Sequence, residues 1–169
     1  MGKCKYYHYF VEGQDEEKIV KVLKTDLQYI VPGKVQVFNV VQQRLTKLRL
    51  MSLKPDTTVV LIFDTDKGKT SILSENISFL KNYSNIKEVL CITQVKNLED
   101  ELTRSCDIRQ IKELTGSKSN REYKHDMIKD SNFDRKLIKF NFNFDLFWSS
   151  IDEAFSDIKN NAQKIKIKK

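Results

Sequence analysis

Runs of apolar residues alternate with amphipathic segments in the first half of the chain, and this pattern predicts alternating strands and helices. Residues 6–11, 35–40 and 86–95 are rich in aromatic and β-branched side chains, which is typical of strands. Residues 57–63 form the most apolar run, and its unbroken hydrophobicity is typical of a central parallel strand covered on both faces. The order of elements therefore predicts a right-handed, mostly parallel four-stranded α/β sheet flanked by helices.

Helices are predicted where apolar residues recur every three or four positions. The first begins after Asp15, a favourable N-cap, and ends at Pro32 and Gly33. Its apolar face consists of Ile19, Val20, Leu23, Leu27 and Ile30. Further helices are predicted over residues 41–51 and 71–80, and a final amphipathic helix over residues 144–158. The part of the chain after residue 96 is therefore expected to be helices and loops.

Length and composition fit one globular domain with a short appendage. The chain has 169 residues, of which 40% are hydrophobic and 31% charged, and this is enough apolar material for a core. We expect a single domain over residues 1–158, with core motifs in 5–96 and a helical extension in 97–158. Residues 159–169 are Lys-rich and are expected to form a frayed basic tail.

The charge balance favours a polyanionic partner. The formal net charge is +7, and basic side chains that neutralise phosphates release condensed counterions. Charge sign alone does not separate such a partner from a generally Lys-rich composition. The three cysteines lack metal-ligand spacing, and the sequence has neither a leader-like apolar segment nor a membrane-spanning one. We therefore expect a cytoplasmic protein that binds DNA or RNA and no membrane.

Acidic residues follow two of the predicted strands at the point where each strand ends. Glu12 follows the first strand, and Asp64 and Asp66 follow the third. Ligands bind beyond the carboxyl ends of parallel strands, so neighbouring strands would bring these carboxylates together. Their mutual repulsion calls for a cation, and Mg²⁺ is the hard, oxygen-seeking ion that suits such a site, with Mn²⁺ as an alternative. Asp64 and Asp66 would share one face of an extended strand.

Other motifs on the same residues are weaker. Gly68-Lys69-Thr70 ends like a P-loop, but Phe63 occupies the position where that loop needs its first glycine. A DxDx[TV] phosphatase would need Thr or Val at Gly68, and a phospho-receiver would need an acidic pair where Glu12 precedes glycine. The P-loop is excluded, and the phosphatase and receiver readings stay open as alternatives.

The segments Tyr9-Phe10-Val11-Glu12-Gly13 and Leu61-Ile62-Phe63-Asp64-Thr65-Asp66 resemble the two motifs of the Toprim family. The resemblance covers the first hundred residues or so and is closest to the OLD-type nuclease branch. It implies a Rossmann-like Toprim fold, in which Glu12 is a general acid or base and Asp64 and Asp66 hold Mg²⁺.

The resemblance also implies further site residues. Glu16 matches the second acidic residue of an ExxxE motif and would be another metal ligand. Glu99 is the candidate for a third acidic position after the fourth strand, with Glu101 as the alternative. Ordinary helix starts would explain Glu16 and Glu99 equally simply, because acidic residues are favoured in a first turn.

Basic residues near these motifs are candidates for phosphate contacts. Lys118, in a polar loop, is the candidate catalytic lysine that would stabilise charge on the phosphate. The candidate nucleic-acid-binding lysines are Lys67, Lys69 and Lys124, the last also being the alternative to Lys118. The aromatic run at residues 6–9 could stack bases, although core packing explains such a strand more simply.

The leading hypothesis is a small Mg²⁺-dependent nuclease that cleaves DNA or RNA, with a role in bacterial phage defence or in a mobile element. A zinc module, a Walker motif and a topoisomerase tyrosine are all missing from the sequence, so a nuclease or a subunit of a larger assembly fits better than a primase or topoisomerase. The second hypothesis is a Toprim scaffold without turnover that binds nucleic acid or protein as a sensor. A partner protein or a homo-oligomer is compatible with both.

Overall fold

The computed structural model describes residues 5–66 and 69–167 and contains one sheet of four strands. The strands are β1 (Tyr6–Val11), β2 (Lys34–Val37), β3 (Thr57–Asp64) and β4 (Ile86–Gln94). The helices of the first half are α1 (Gln14–Lys21), α2 (Lys47–Leu50) and α3 (Ser71–Lys81), and a π-helical segment, Val22–Asp26, extends α1. The later helices are α4 (Leu98–Ser105), α5 (Ile111–Thr115), α6 (Tyr123–Lys129) and α7 (Phe133–Lys139).

The sheet is parallel throughout, with strand order β2-β1-β3-β4. This confirms the predicted class, a Rossmann-like α/β sheet flanked by helices with a helical C-terminal part. The strands β1 and β3 are direct neighbours, and Val11 pairs with Ile62. The carboxyl ends of β1 and β3 therefore meet at the same edge of the sheet, where Glu12 and Asp64 lie.

Two hydrophobic clusters cover the two faces of the sheet. On one face, Tyr9, Val11, Val60 and Ile62 pack with α1 and with the helices of the C-terminal part. On the other face, Phe10, Val59, Leu61 and Phe63 pack with α2 and α3. The strand β3 is buried along both faces as its continuous apolar run predicts, and only Asp64 at its end is partly exposed. This central strand fixes the position of the acidic edge.

The first predicted helix differs from the structure at both ends. Gly13, not Asp15, is the N-cap of α1, and Asp15 lies inside the first turn with Glu16. The prediction placed the N-cap two residues too late because Asp is the stronger capping residue. At the far end, the helical segment stops at Asp26, and Ile30 instead forms a β-bridge with Lys166.

The helix predicted over residues 41–51 is reduced to the single turn of α2. Leu48 and Met51 are 78% and 65% exposed, although the apolar period placed both against the core. The side chain of Asn76, from α3, donates to the backbone carbonyl groups of Val40 and Gln43. These carbonyl groups therefore have partners other than the N–H groups of a helix. Tertiary pairing has therefore overridden the local periodicity.

The final amphipathic helix predicted over residues 144–158 is wrong. The segment contains only one 3₁₀ turn, Glu153–Phe155, and Trp148 has a positive φ of 59°. Phe147 and Trp148 are adjacent in sequence and both fully buried, and the backbone N–H of Trp148 donates to the side chain of Glu101. Two adjacent side chains point in different directions from a helix, so the burial of both Phe147 and Trp148 is met here by an irregular backbone.

The expected frayed tail is also wrong for its described part. Residues 159–167 cross the edge of β4, where Asn161 exchanges hydrogen bonds with the backbone of Cys91. Ile165 is fully buried and its carbonyl accepts from the N–H of Val31, next to the bridge from Ile30 to Lys166. The Lys-rich composition of this segment favoured a solvated tail, although Ala162 and Ile165 are buried.

Across the part of the chain that the structure describes, none of the helices has the length and apolar character needed to cross a membrane.

Candidate functional site

The carboxyl groups of Glu12 and Asp64 meet at the edge of the sheet. Burial, together with the neighbouring charge of Glu12, raises the pKa of Asp64 to about 8. The side chain of Glu12 is also within hydrogen-bonding reach of Asp64, and Asp66 adds negative charge nearby. Asp66 itself is exposed. The structure therefore brings Glu12 and Asp64 into contact, and Asp66 acts on Asp64 through its charge.

Gln94 holds Asp64 from the neighbouring strand. This residue ends β4 and is fully buried, and its Nε2 donates to Asp64 Oδ1 over 2.7 Å. The indole Nε1 of Trp148 donates to Gln94 Oε1 over 3.1 Å. Because an indole N–H can only donate, it fixes the orientation of the amide and directs the NH₂ group towards Asp64. Gln94 opposes the effect of burial on the pKa of Asp64, since it stabilises the carboxylate.

Asp15 and Glu16 bring two more carboxyl groups to this edge from the first turn of α1. Both side chains are buried. Burial raises the pKa of Glu16 to about 10, and contacts with Asp15 and the charge of Asp64 act in the same direction. Glu16 therefore lies between the Asp64 group and the Asp15 group. Gly13 makes room for them, because a Cβ there would lie only 3.0 Å from Glu16 Oε2.

The helix α6 supplies a cation and a hydroxyl to the same group of side chains. Lys124 Nζ lies 3.6 Å from Asp15 Oδ2 and 3.5 Å from Glu99 Oε1. Burial acts to lower the pKa of Lys124, but the carboxylates of Asp15 and Glu99 outweigh it and the pKa is raised. Tyr123 is buried beside it and its hydroxyl donates to Asp15 Oδ2 over 3.4 Å. Among the described lysines, Lys124 is the one that forms ion pairs with Asp15 and Glu99.

The remaining predicted residues separate into different environments. Lys118 lines another cavity with Ser117, Arg121 and His125, so it is not among the contacts of the acidic edge given above. Lys69 is exposed on the segment after β3. Lys67, a predicted nucleic-acid contact, lies outside the described residues. Glu99, in the first turn of α4, joins the site through Lys124.

Glu101, the alternative to Glu99, has a structural role instead. Its side chain is fully buried, and its two oxygens accept from the backbone N–H groups of Val95 and Trp148. Arg104 also donates to it. These bonds hold the irregular segment around Trp148 against the end of β4, so Glu101 is excluded from the acidic edge by its own partners.

The chemistry of the donor set fits a hard divalent cation. Within residues 5–66 and 69–167, no group of three or more His, Cys, Asp or Glu side chains is already arranged as a metal centre. The observation in favour of the fit is the pair of raised pKa values at Glu16 and Asp64, since buried carboxyl groups with uncompensated charge are relieved by a cation. Carboxylate oxygens are also the ligands that Mg²⁺ prefers.

Sequence reasoning missed several residues of this edge, namely Asp15, Gln94, Tyr123 and Trp148. Gln94 alone had a readable signal, because it ends the fourth strand as Asp64 ends the third. The positions of Tyr123 and Trp148 depend on the path of the C-terminal part, which the apolar pattern did not predict.

The chain matches no protein-family model, no curated protein and no solved structure. The resemblance to the Toprim family therefore stays a prediction.

Proposed function

We propose that the chain is a Mg²⁺-dependent phosphodiesterase that cleaves DNA or RNA. The observation that carries the proposal is the convergence of Glu12, Glu16 and Asp64 at the carboxyl edge of a parallel sheet, with raised pKa values at Glu16 and Asp64. Carboxyl groups with raised pKa values are common at sites that transfer protons or bind cations. The positive net charge of +7 supports a polyanionic substrate.

The roles follow from the contacts of each side chain. Asp64 and Asp66, with Glu16 beside them, would hold the ion, which would polarise the scissile phosphate and activate a water molecule. Glu12, next to Asp64, would exchange a proton with the attacking water or the leaving group. Lys124 replaces Lys118 as our candidate for stabilising charge on the phosphate, because it already contacts Asp15 and Glu99.

The test is cleavage of labelled DNA and RNA, single- and double-stranded, with Mg²⁺ or Mn²⁺ and with EDTA. Native protein should cleave one of these substrates only with metal. Asp64→Asn should lower the rate by at least about a hundredfold while circular dichroism and urea unfolding show a folded protein. Asp157→Asn, which changes an exposed aspartate away from the edge, is the matched control and should keep the native rate. Absence of cleavage of every substrate with either metal would overturn the proposal.

A second candidate is a scaffold of the same fold that binds nucleic acid without turnover. It is favoured by Lys124, which already neutralises part of the acidic group through Asp15 and Glu99. This candidate predicts that Asp64→Asn binds nucleic acid as native protein does and that no product accumulates with Mg²⁺ or Mn²⁺. Metal-dependent cleavage that is lost in Asp64→Asn would exclude it.

A further inference from the structure

A second cavity lies at the opposite edge of the sheet, where β1, β2 and β3 begin. It has a volume of about 360 Å³, which is within the usual size of small-molecule sites. We call it the amino-edge cavity. The lining residues that matter for its chemistry are Lys5, Tyr6, His8, Gly33, Lys34 and Lys54. The six-residue strand β1 separates it from Glu12, a span of roughly 20 Å, so it is a different site from the acidic edge.

The lining combines positive charge with aromatic surface. Three lysines line the cavity, and no Asp or Glu is among its described lining residues. Lys54 Nζ lies over the Tyr6 ring, 4.6 Å from its centre, and Tyr6 as a whole residue is 38% exposed. A partly exposed aromatic ring among ammonium groups is an arrangement that stacks a nucleobase and neutralises its phosphate.

The backbone gives the cavity a fixed wall. Gly33 packs directly against β1, since a Cβ at this position would lie 2.5 Å from the carbonyl oxygen of Tyr7. Lys24 Nζ donates to the carbonyl of Gly33 over 2.7 Å and holds the turn. His8 is fixed as well, because its Nε2 lies 3.2 Å from Gln36 Oε1 and its ring packs against Phe10. The turn that places Lys34 opposite His8 in the lining of the cavity is therefore held in position.

We propose that the amino-edge cavity binds a nucleotide, with the base stacked on Tyr6 and the phosphate held by Lys5, Lys34 and Lys54. A free nucleotide and the phosphorylated end of a nucleic-acid strand present the same base and phosphate, and the experiment below distinguishes the two sources. The proposal does not depend on catalysis at the acidic edge. It gives a function to the aromatic run at residues 6–9 beyond packing of the core.

The first experiment measures binding of AMP, ATP, inorganic phosphate and a 5′-phosphorylated oligothymidine by calorimetry in EDTA, which removes divalent metal from the acidic edge. AMP or ATP should bind more tightly than phosphate if the free nucleotide is the ligand. Tighter binding of the oligothymidine than of either nucleotide would assign the strand end, with the same base and phosphate contacts. Equal binding of phosphate and nucleotides would overturn the stacking contact, and absence of binding by all four would overturn the proposal.

Variants separate the base contact from the charge contact. Tyr6→Ala should weaken nucleotide binding by roughly tenfold and leave phosphate binding unchanged, whereas Lys54→Gln should weaken both. Lys87→Gln, at an exposed lysine of β4, is the control for net charge and should have little effect. With AMP as the probe, Asp64→Asn should bind as native protein does, and this separates the result from any failure at the acidic edge. Native affinity in both Tyr6→Ala and Lys54→Gln would overturn the proposal.

The two histidines of the chain give a local readout by NMR. His8 lines the cavity and His125 lies on α6. Titration with the bound nucleotide should shift the imidazole signals of His8 and leave those of His125 in place. Unchanged His8 signals at saturation, or equal shifts of both histidines, would contradict binding in the amino-edge cavity.

Discussion

At the scale of single residues, the fixed amide of Gln94 limits how far burial raises the pKa of Asp64. Burial and Glu12 both favour the neutral form of Asp64, and only the hydrogen bond from Gln94 favours the carboxylate. Trp148 prevents the amide from turning its oxygen towards Asp64. The site thus provides a fixed donor for Asp64 Oδ1.

The raised pKa of Asp64 makes stability depend on pH. The folded protein binds this proton more tightly than the unfolded chain, so the stabilisation is complete at low pH and is lost as pH rises from about 4 through about 8. In EDTA, we expect the free energy of unfolding to fall by about 3–4 kcal/mol between pH 5 and pH 8. Urea unfolding should show a smaller loss for Asp64→Asn and the native loss for the exposed control Asp157→Asn. Equal pH dependence of native protein and Asp64→Asn would contradict the assignment.

Removal of the Gln94 amide should affect both stability and metal binding. Gln94→Leu leaves Asp64 Oδ1 and the indole N–H of Trp148 without these partners, so we expect the free energy of unfolding to fall by about 2 kcal/mol. Trp148 is the only tryptophan of the chain, and its fluorescence therefore reports on this edge during a Mg²⁺ titration. The variant should need more Mg²⁺ to reach the midpoint. The control Gln163→Leu is at an exposed position, and a shared midpoint for all three proteins would refute a role in metal binding.

At the scale of elements, the sequence predicts those parts whose fold depends on local pattern. The buried run of β3 and the helix α3 agree with prediction nearly residue for residue, because one periodicity applies throughout each of them. The meeting of Glu12 and Asp64 was predictable because each residue stands at the carboxyl end of its strand. Neighbouring parallel strands have these ends at the same edge of the sheet. Lys124 was predicted as a nucleic-acid contact and as the alternative to Lys118, but its contacts with Asp15 and Glu99 were not, because they depend on how α6 packs against α1.

The C-terminal segment failed prediction because its contacts are long-range. Asn161 pairs with Cys91 and Ile165 with Val31, and no local period encodes such partners. Its lysines favoured a solvated tail, although the apolar side chain of Ile165 is completely buried. The segment closes the outer edge of β4, so it protects a strand that would otherwise expose unpaired backbone groups.

The docking of this segment can be tested with a matched pair of isoleucines. Ile165→Ala should lower the free energy of unfolding by about 3 kcal/mol, because a buried isoleucine loses its contacts and leaves a cavity. Ile167→Ala, two residues later at a position that is 42% exposed, should cost less than about 1 kcal/mol. Urea unfolding measures both values. Equal small losses for the two variants would support a frayed tail instead.

At the scale of the whole molecule, positive net charge and a negative edge act in opposite directions on a nucleic acid. The chain carries a net charge of +7, yet Glu12, Glu16 and Asp64 converge where the scissile phosphate would bind. Without a cation and above the pKa of Asp64, its carboxylate repels that phosphate while the positive net charge of the chain attracts the strand. A bound metal ion would cancel the repulsion of the phosphate by the acidic edge. We therefore expect the affinity for nucleic acid to depend on the charge of the acidic edge.

Neutralising Asp64 should therefore strengthen binding while it abolishes cleavage. In EDTA at pH 9, where more of Asp64 is ionised, Asp64→Asn should bind a labelled oligonucleotide about two- to fivefold more tightly than native protein. Fluorescence anisotropy measures this ratio, and the ratio should decrease with added salt because screening weakens the repulsion. Mg²⁺ should increase the affinity of native protein more than that of the variant. Weaker binding by Asp64→Asn in EDTA would show that the Asp64 carboxylate does not repel the oligonucleotide. The oligonucleotide would then bind elsewhere on the molecule.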